Sequence, residues 1–143
     1  MHNPAHNVIK VPFAVESREA IRTIREDVFI NEQQVPPELE FDGLDEAALH
    51  VLAYVDARPV ATGRVLEDGH IGRIAVLKDF RGQGVGAAVV RELVEQARRS
   101  GLKRVYLGAQ LHAVTFYESL GFTPYGDEFM DAGIAHIHMD KSI

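Results

Sequence analysis

Three glycines in five positions, Gly82, Gly84 and Gly86 in the stretch DFRGQGVGAAVV (79–90), stand between a strand-like segment ending at Leu77 and a helical apolar pattern. Glycine is costly in backbone entropy, so such a cluster marks a place where φ must be positive or where a ligand approaches the main chain closely. A plain strand-to-helix turn would need only one. A strand, a glycine loop and a helix start together form an anion site, because unpaired amides point outward there and the helix dipole adds roughly half a positive charge. The Walker pattern is absent, since no GK[ST] follows. GQGVGA does satisfy G-x-G-x-x-A, the dinucleotide fingerprint of an NAD(P)-dependent dehydrogenase, but that fingerprint needs an acid about 20 residues further on, at the end of the next strand. The corresponding segment RVYLGAQ (104–110) has none. His136 and His138 alternate onto one face of the last strand, and His-x-His can hold a metal. No third ligand is evident, so no metal is expected.

The elements that must position this loop follow from periodicity. VIKVPFAV (8–15) reads as a first strand, placed near an edge by Pro12. SREAIRTIREDVFI (17–30) reads as a helix capped by Ser17, with Ala20, Ile21, Ile24, Val28 and Phe29 at helical spacing. Residues 31–46 form an irregular acidic segment, with Pro36 and Pro37 stopping the helix. Segments 49–55, 59–67 and 70–77 read as an antiparallel meander turned at DAR (56–58) and Gly69. From Gly84 to about Ser100, Val85, Val89, Val90, Leu93, Val94 and Ala97 form one apolar stripe, with Gly101 as C-cap. KRVYLGAQ (103–110) is nearly continuous in apolar character, as expected of a strand covered on both faces. Strand, helix and strand make a parallel crossover. AVTFYESLGF (113–122) reads as a short helix ended by Gly121, and GIAHIHMD (133–140) as a closing strand. With no repeat, low-complexity stretch or linker, a single domain over residues 1–143 is expected.

The 143 residues suffice to bury a core, and 46% hydrophobic with 25% charged residues argues against disorder. No apolar run approaches the roughly 18 residues that span a bilayer. The N-terminal MHNPAHNVIK lacks the charged and apolar regions of a secretory signal. Without cysteine there is no disulfide, thiolate nucleophile or Cys-ligated metal. A cytoplasmic protein without membrane or nucleic-acid partners is expected, the net charge of −6 opposing general nucleic-acid binding. Charge is uneven: residues 16–46 carry ten acids against Arg18, Arg22 and Arg25, while 78–104 carry seven bases against Asp79, Glu92 and Glu95. One end could favour a cation and the other an anion.

RGQGVG is similar to the R/Q-x-x-G-x-G/A loop of the GCN5-related N-acetyltransferase (GNAT) superfamily, with Arg81, Gly84 and Gly86 in the fixed positions. FYESLGF resembles the family's late-helix motif, and the element order matches over essentially the whole chain. REDVFINEQQVP, ALHVLA and FMDAGIAHIHM resemble the small ElaA/YjcF-type members. The resemblance implies an α/β (α+β) fold with a mixed, mostly antiparallel central sheet flanked by about four helices. It implies an enzyme that moves an acetyl group from acetyl-CoA to a primary amine on a small molecule or peptide, with room for a homodimer. The pyrophosphate would lie on the backbone N–H groups of Gly82, Gln83, Gly84, Val85, Gly86 and Ala87. The pantetheine would pair with Ile74, Ala75 and Val76, with Lys78 and Arg81 assisting the phosphates. Gln110 stands where the family has an asparagine, and Phe116 and Tyr117 belong to the late helix.

Acetyl transfer needs a neutral amine, a polarised thioester carbonyl and a donor for the leaving thiolate. Tyr117 occupies the family's usual general-acid position, though a thiol near pKa 8.5 and a tyrosine near 10 make full proton transfer uphill. On the late helix Phe116 is expected to anchor in the core while Tyr117 points into the cleft. Many members carry a glutamate on the strand before the loop; here Gly72 and Arg73 stand instead. The base candidates are therefore remote: Glu32, His50 and His112. His136 and Arg73 are candidates for acceptor binding, while Arg64 and Arg73 are expected to pair with the acidic segment, which itself suggests a cationic acceptor. The absent glutamate also motivates a second reading, a non-catalytic CoA-binding sensor or interaction module.

Overall fold

The structure is a computed structural model describing residues 6–143. Residues 1–5, and with them the reading of the N-terminal stretch, lie outside the described residues. Along the chain come β1 (His6–Val11), α1 (Val15–Arg25), α2 (Pro37–Glu40), β2 (Leu49–Val55), β3 (Arg58–Val65) and β4 (Ile71–Val76). They are followed by α3 (Val85–Arg99), β5 (Arg104–Gln110), α4 (Val114–Ser119), β6 (Thr123–Asp131) and β7 (Ile134–Ser142). The strands form two antiparallel sheets, β1-β2-β3-β4 and β5-β7-β6. A single parallel bridge, His70 to Tyr106, joins them, with the Tyr106 N–H donating to the Gly69 carbonyl at 3.0 Å. The mixed, mostly antiparallel architecture with four α-helices is as expected.

Alternation along β2 sends Val51 and Ala53 to one face and Leu52 to the other. Helix α3 covers the first face with its apolar stripe, so closely that a Cβ on Gly63 would stand 2.7 Å from Ile74 Cδ1 and 2.8 Å from Leu93 Cδ1. Ile21 and Ile24 of α1, with Val28, cover the second face against Val11, Leu52 and Ala75.

Several local expectations change. Helix α1 starts two residues before Ser17, with Ala14 at the N-cap and no side-chain cap. The helix does not stop near residue 30 but widens into a π-helical turn over Glu26–Glu32, with Gln33 N–H donating to Val28 O at 3.1 Å. Pro37 starts a helical turn inside the segment read as irregular, because proline at a first helical position loses no hydrogen bond. Strand β5 is not covered on both faces: Val105, Leu107 and Ala109 are buried while Arg104 and Gly108 are exposed. Strand β6 was not expected at all. It carries Pro124, Gly126 and few apolar residues, and it forms an edge, where pairing with β7 needs no buried face.

The acidic segment is held by a buried ion network. Arg25, 1% exposed, donates to Glu40 Oε1 at 2.5 Å and to Asp45 Oδ1 at 2.7 Å. Arg64 reaches Asp42 Oδ2 at 2.5 Å and Asp45 Oδ1 at 2.8 Å, and Arg73 donates to Asp42 Oδ2 at 3.2 Å. Burial pushes the Glu40 carboxyl up, against the pull of Arg25 and Arg73. For Asp45 burial acts in the same sense, but Arg25 and Arg64 outweigh it and lower its pKa. The pairing expected of Arg64 and Arg73 is thus present. Removing one partner strands the others, so Arg25→Met is expected to cost about 3–5 kcal/mol, read by denaturant unfolding. A loss below about 1 kcal/mol would show that the network contributes little.

Candidate functional site

Strands β3 and β4 slip register between Thr62 and Arg64, and the extra residue on β4 puts Arg73 at φ +53°. A bulge of this kind bends its strand and interrupts regular pairing. Beyond the His70–Tyr106 bridge β4 and β5 separate around a cleft of about 360 Å³. Its walls come from β4 and β5, from Phe29 of the π-helical turn and Gln33 at its C-cap, from Tyr117 of α4, and from the β6–β7 hairpin.

The glycine loop follows β4, one wall of this cleft, along the chain. Gly82 and Gly84 have φ of +76° and +82°, and a Cβ on either would meet nothing within 4 Å. Helix α3 begins at Val85 with no side-chain cap and no acidic residue in its first turn. Its amides and dipole therefore present uncompensated positive potential to the open side of the loop. Gly86 is helical and packed, its notional Cβ 3.6 Å from Val76 Cγ2 and 3.8 Å from Phe116 Cζ. Phe116 contacts Tyr117 edge-on at 5.0 Å between centroids, which links loop to cleft.

Of the residues singled out from sequence, Arg73, Ile74, Gln110, Tyr117 and His136 line the cleft. Ala75 is buried on the opposite face against α1, Val76 lies beneath Gly86, and Val85 is buried under α3. Gln83 donates toward Asp79 O at 3.5 Å, Ala87 packs on the core, and Lys78 is exposed. Tyr117 lines the cleft as expected, but Phe116 does not anchor in the core. Phe116 is 38% exposed, whereas Tyr117 is half-buried against Phe122. The short α4 rests on the core through Tyr117, which leaves Phe116 outside beside Gly86. Burial raises the Tyr117 hydroxyl to about 12.

The remaining base candidates stand elsewhere. His50 is fully buried, with Nε2 2.7 Å from Asp45 O and its ring stacked on Phe13. Burial lowers its pKa, and a neutral Nε2–H donating to that carbonyl accounts for it as a structural residue outside the cleft. His112 is exposed and does not line the cleft. Glu32 is gripped by Arg81, whose Nη1 and Nη2 donate to its two carboxylate oxygens at 2.6 and 2.7 Å while Nε donates to Val76 O at 3.0 Å. That bidentate bond lowers the Glu32 pKa, so a phosphate would have to compete with Glu32 for this guanidinium. His136 is 9% exposed, and its Nδ1 lies 2.7 Å from Ile134 O. A carbonyl can only accept, so Nδ1 carries a proton, and in the neutral ring the lone pair is on Nε2.

Residues 13–143 match the acetyltransferase (GNAT) domain profile. The chain belongs to the GNAT acetyltransferase family. It is 40% identical over 122 residues to the uncharacterized N-acetyltransferase YjcF of Bacillus subtilis (strain 168), covering 82% of this chain and 87% of that one. The crystal structure of Escherichia coli ElaA superposes with TM-score 0.85 at 30% identity, over 96% of this chain and 99% of that one. An acyl-CoA N-acyltransferase from Pseudomonas aeruginosa gives TM-score 0.85 at 28% identity, over 96% and 99% of the two chains. In this GNAT chain β4 carries Gly72 and Arg73 where the resemblance leads to a glutamate, and the histidine lining the same cleft comes from β7. Sequence reading missed Asp131, Phe29 and Gln33 as cleft residues. The Asp-Ala-Gly run at 131–133 was a usable hairpin signal, with Ala132 and Gly133 at φ +51° and +77°.

Proposed function

We propose that this protein transfers an acetyl group from acetyl-CoA to a primary amine bound in the cleft between β4 and β5. One observation carries the reading: the open, uncapped Gly82–Gly84 loop continues through Gly86 and Phe116 to Tyr117 and the splayed strands. Together these supply an anion cradle, a channel edge and a hydroxyl donor in one line. The acyl-CoA N-acyltransferase named above supports the donor class. Calorimetric titration with acetyl-CoA tests the reading, and protein that ignores millimolar acetyl-CoA would overturn it.

In the reaction the amine nitrogen attacks the thioester carbonyl carbon. The C–N bond forms, the C–S bond breaks, and the nitrogen sheds one proton. His136, which lines the cleft with its Nδ1 fixed on Ile134 O, accepts that proton at Nε2 and passes it to water. The CoA thiolate leaves toward Tyr117. With the tyrosine near 12 and a thiol near 8.5, complete transfer from Tyr117 would be uphill by about 5 kcal/mol. Tyr117 therefore acts as a hydrogen-bond donor to the thiolate and keeps its proton, solvent completing the thiol. Gln110 orients the amine from β5.

His136→Gln is expected to lower kcat/KM roughly 10²-fold with the acetyl-CoA dissociation constant unchanged, since a general base acts only on the chemical step. Steady-state thiol release checks this; an unaltered rate would remove His136 from the mechanism. The second reading, a CoA-binding sensor, is favoured by the missing carboxylate at Gly72 and expects binding without thiol release.

A further inference from the structure

The charge of the cleft points to its acceptor. Resting on the acetyl-transfer reading above, we infer that Asp131 binds a second cationic group of the acceptor, which makes the substrate class diamines and amines with a distal positive charge.

The acidic segment that first suggested a cationic acceptor does not supply this attraction. Four of its six acids face their own arginines: Glu32 faces Arg81, Glu40 faces Arg25 and Arg73, and Asp42 and Asp45 face Arg64, while the exposed Glu38 and Glu46 do not line the cleft. Among the described residues lining the cleft, the ionised groups are Glu40, Arg73 and Asp131. Glu40 and Arg73 are 3.3 Å apart and cancel. The Asp131 carboxylate has no ion-pair or hydrogen-bond partner among the described residues and leaves the cleft with one net negative charge. It stands at the end of β6, on the exposed β6–β7 turn, so it can meet an entering ligand.

Register fixes its distance from the reacting centre. His136 pairs with Phe129 across the β6–β7 ladder, and their rings stack at 5.7 Å. Asp131 follows Phe129 by two residues, which returns its side chain to the same face about 7 Å along the strand. An acceptor whose reacting nitrogen lies at His136 then places a second ammonium at Asp131 when a spacer of roughly four carbons separates them. Phe29, Val35 and Ile134 line the same cleft and suit the methylenes of such a spacer.

Binding, not turnover, tests this. Protein saturated with CoA is titrated with 1,4-diaminobutane and with butylamine, in wild type and in Asp131→Asn. Wild type is expected to prefer the diamine by about tenfold, a preference that shrinks with added salt. Asp131→Asn is expected to erase the preference, the diamine losing roughly tenfold more affinity than butylamine. Asp131→Glu, which keeps the charge, is expected to retain most of it. A wild type that binds the diamine no better than butylamine overturns the inference, as does an Asn variant that keeps the preference. Failure of the acetyl-transfer reading shows separately, in the acetyl-CoA titration and in thiol release.

Discussion

Gly84→Asp is expected to abolish acetyl-CoA binding while leaving the protein folded. Two effects act at this position, and they separate cleanly. The backbone stands at φ +82°, which costs an L-residue roughly 1–2 kcal/mol, with aspartate among the more tolerant types. Nothing lies within 4 Å of the new Cβ, so the fold meets no clash. The carboxylate instead projects into the space where the amides of the α3 start converge. Against one phosphate charge at about 4 Å, an effective dielectric near 20 gives about 4 kcal/mol of repulsion, close to 10³-fold in affinity. Gly84→Ala carries the strain without the charge and is expected to lose far less. Calorimetry with acetyl-CoA reads both variants, with thermal unfolding as the control. An aspartate variant that binds within about threefold of wild type would place the nucleotide elsewhere.

Tyr117→Phe is expected to lower kcat roughly 10²-fold with little change in acetyl-CoA affinity. The phenyl ring keeps the edge contact with Phe122, at 5.9 Å between centroids, so packing is preserved. What disappears is a hydroxyl without a hydrogen-bond partner among the described residues, facing the cleft where the thiolate develops. Such a donor acts mainly in the transition state, which is why the loss falls on kcat. The sign of the pH effect follows from the raised pKa. Only the protonated hydroxyl donates, and burial holds it protonated until the pH nears 12, so Tyr117 imposes no alkaline fall in rate below about pH 10. Unchanged turnover, with chemistry shown to limit the rate, would exclude the role.

The loop and its helix were legible because their signals are local. Positive φ at Gly82 and Gly84 and the apolar stripe from Val85 to Ala97 are set by residue type and spacing alone. The cleft's far side was not. Strand β6 lacks alternation because it is an edge, so TPYGDEFMD carried no strand pattern and Asp131 went unnoticed. Glu32 looked like a free acid because nothing in its neighbourhood shows that Arg81, 49 residues later, will grip it. The acidic segment misled for the same reason: its partners Arg25, Arg64 and Arg73 are brought to it by α1, β3 and the β4 bulge. For Phe116 and Tyr117 helical geometry gives the angular separation but not which face α4 turns to the core, so the cleft position of Tyr117 is legible and the exposure of Phe116 is not.

Acyl transfer at the β4–β5 cleft is read from its two products together. Acetyl-CoA is mixed with the protein and a panel of primary amines, and thiol release is followed alongside the mass of the amine. The expected result is thiol released in step with an amine that has gained one acetyl group, lost in Tyr117→Phe and Gly84→Asp to the extents given above. Protein that binds acetyl-CoA yet releases no thiol with any amine of the panel would contradict the account and leave the sensor reading in its place.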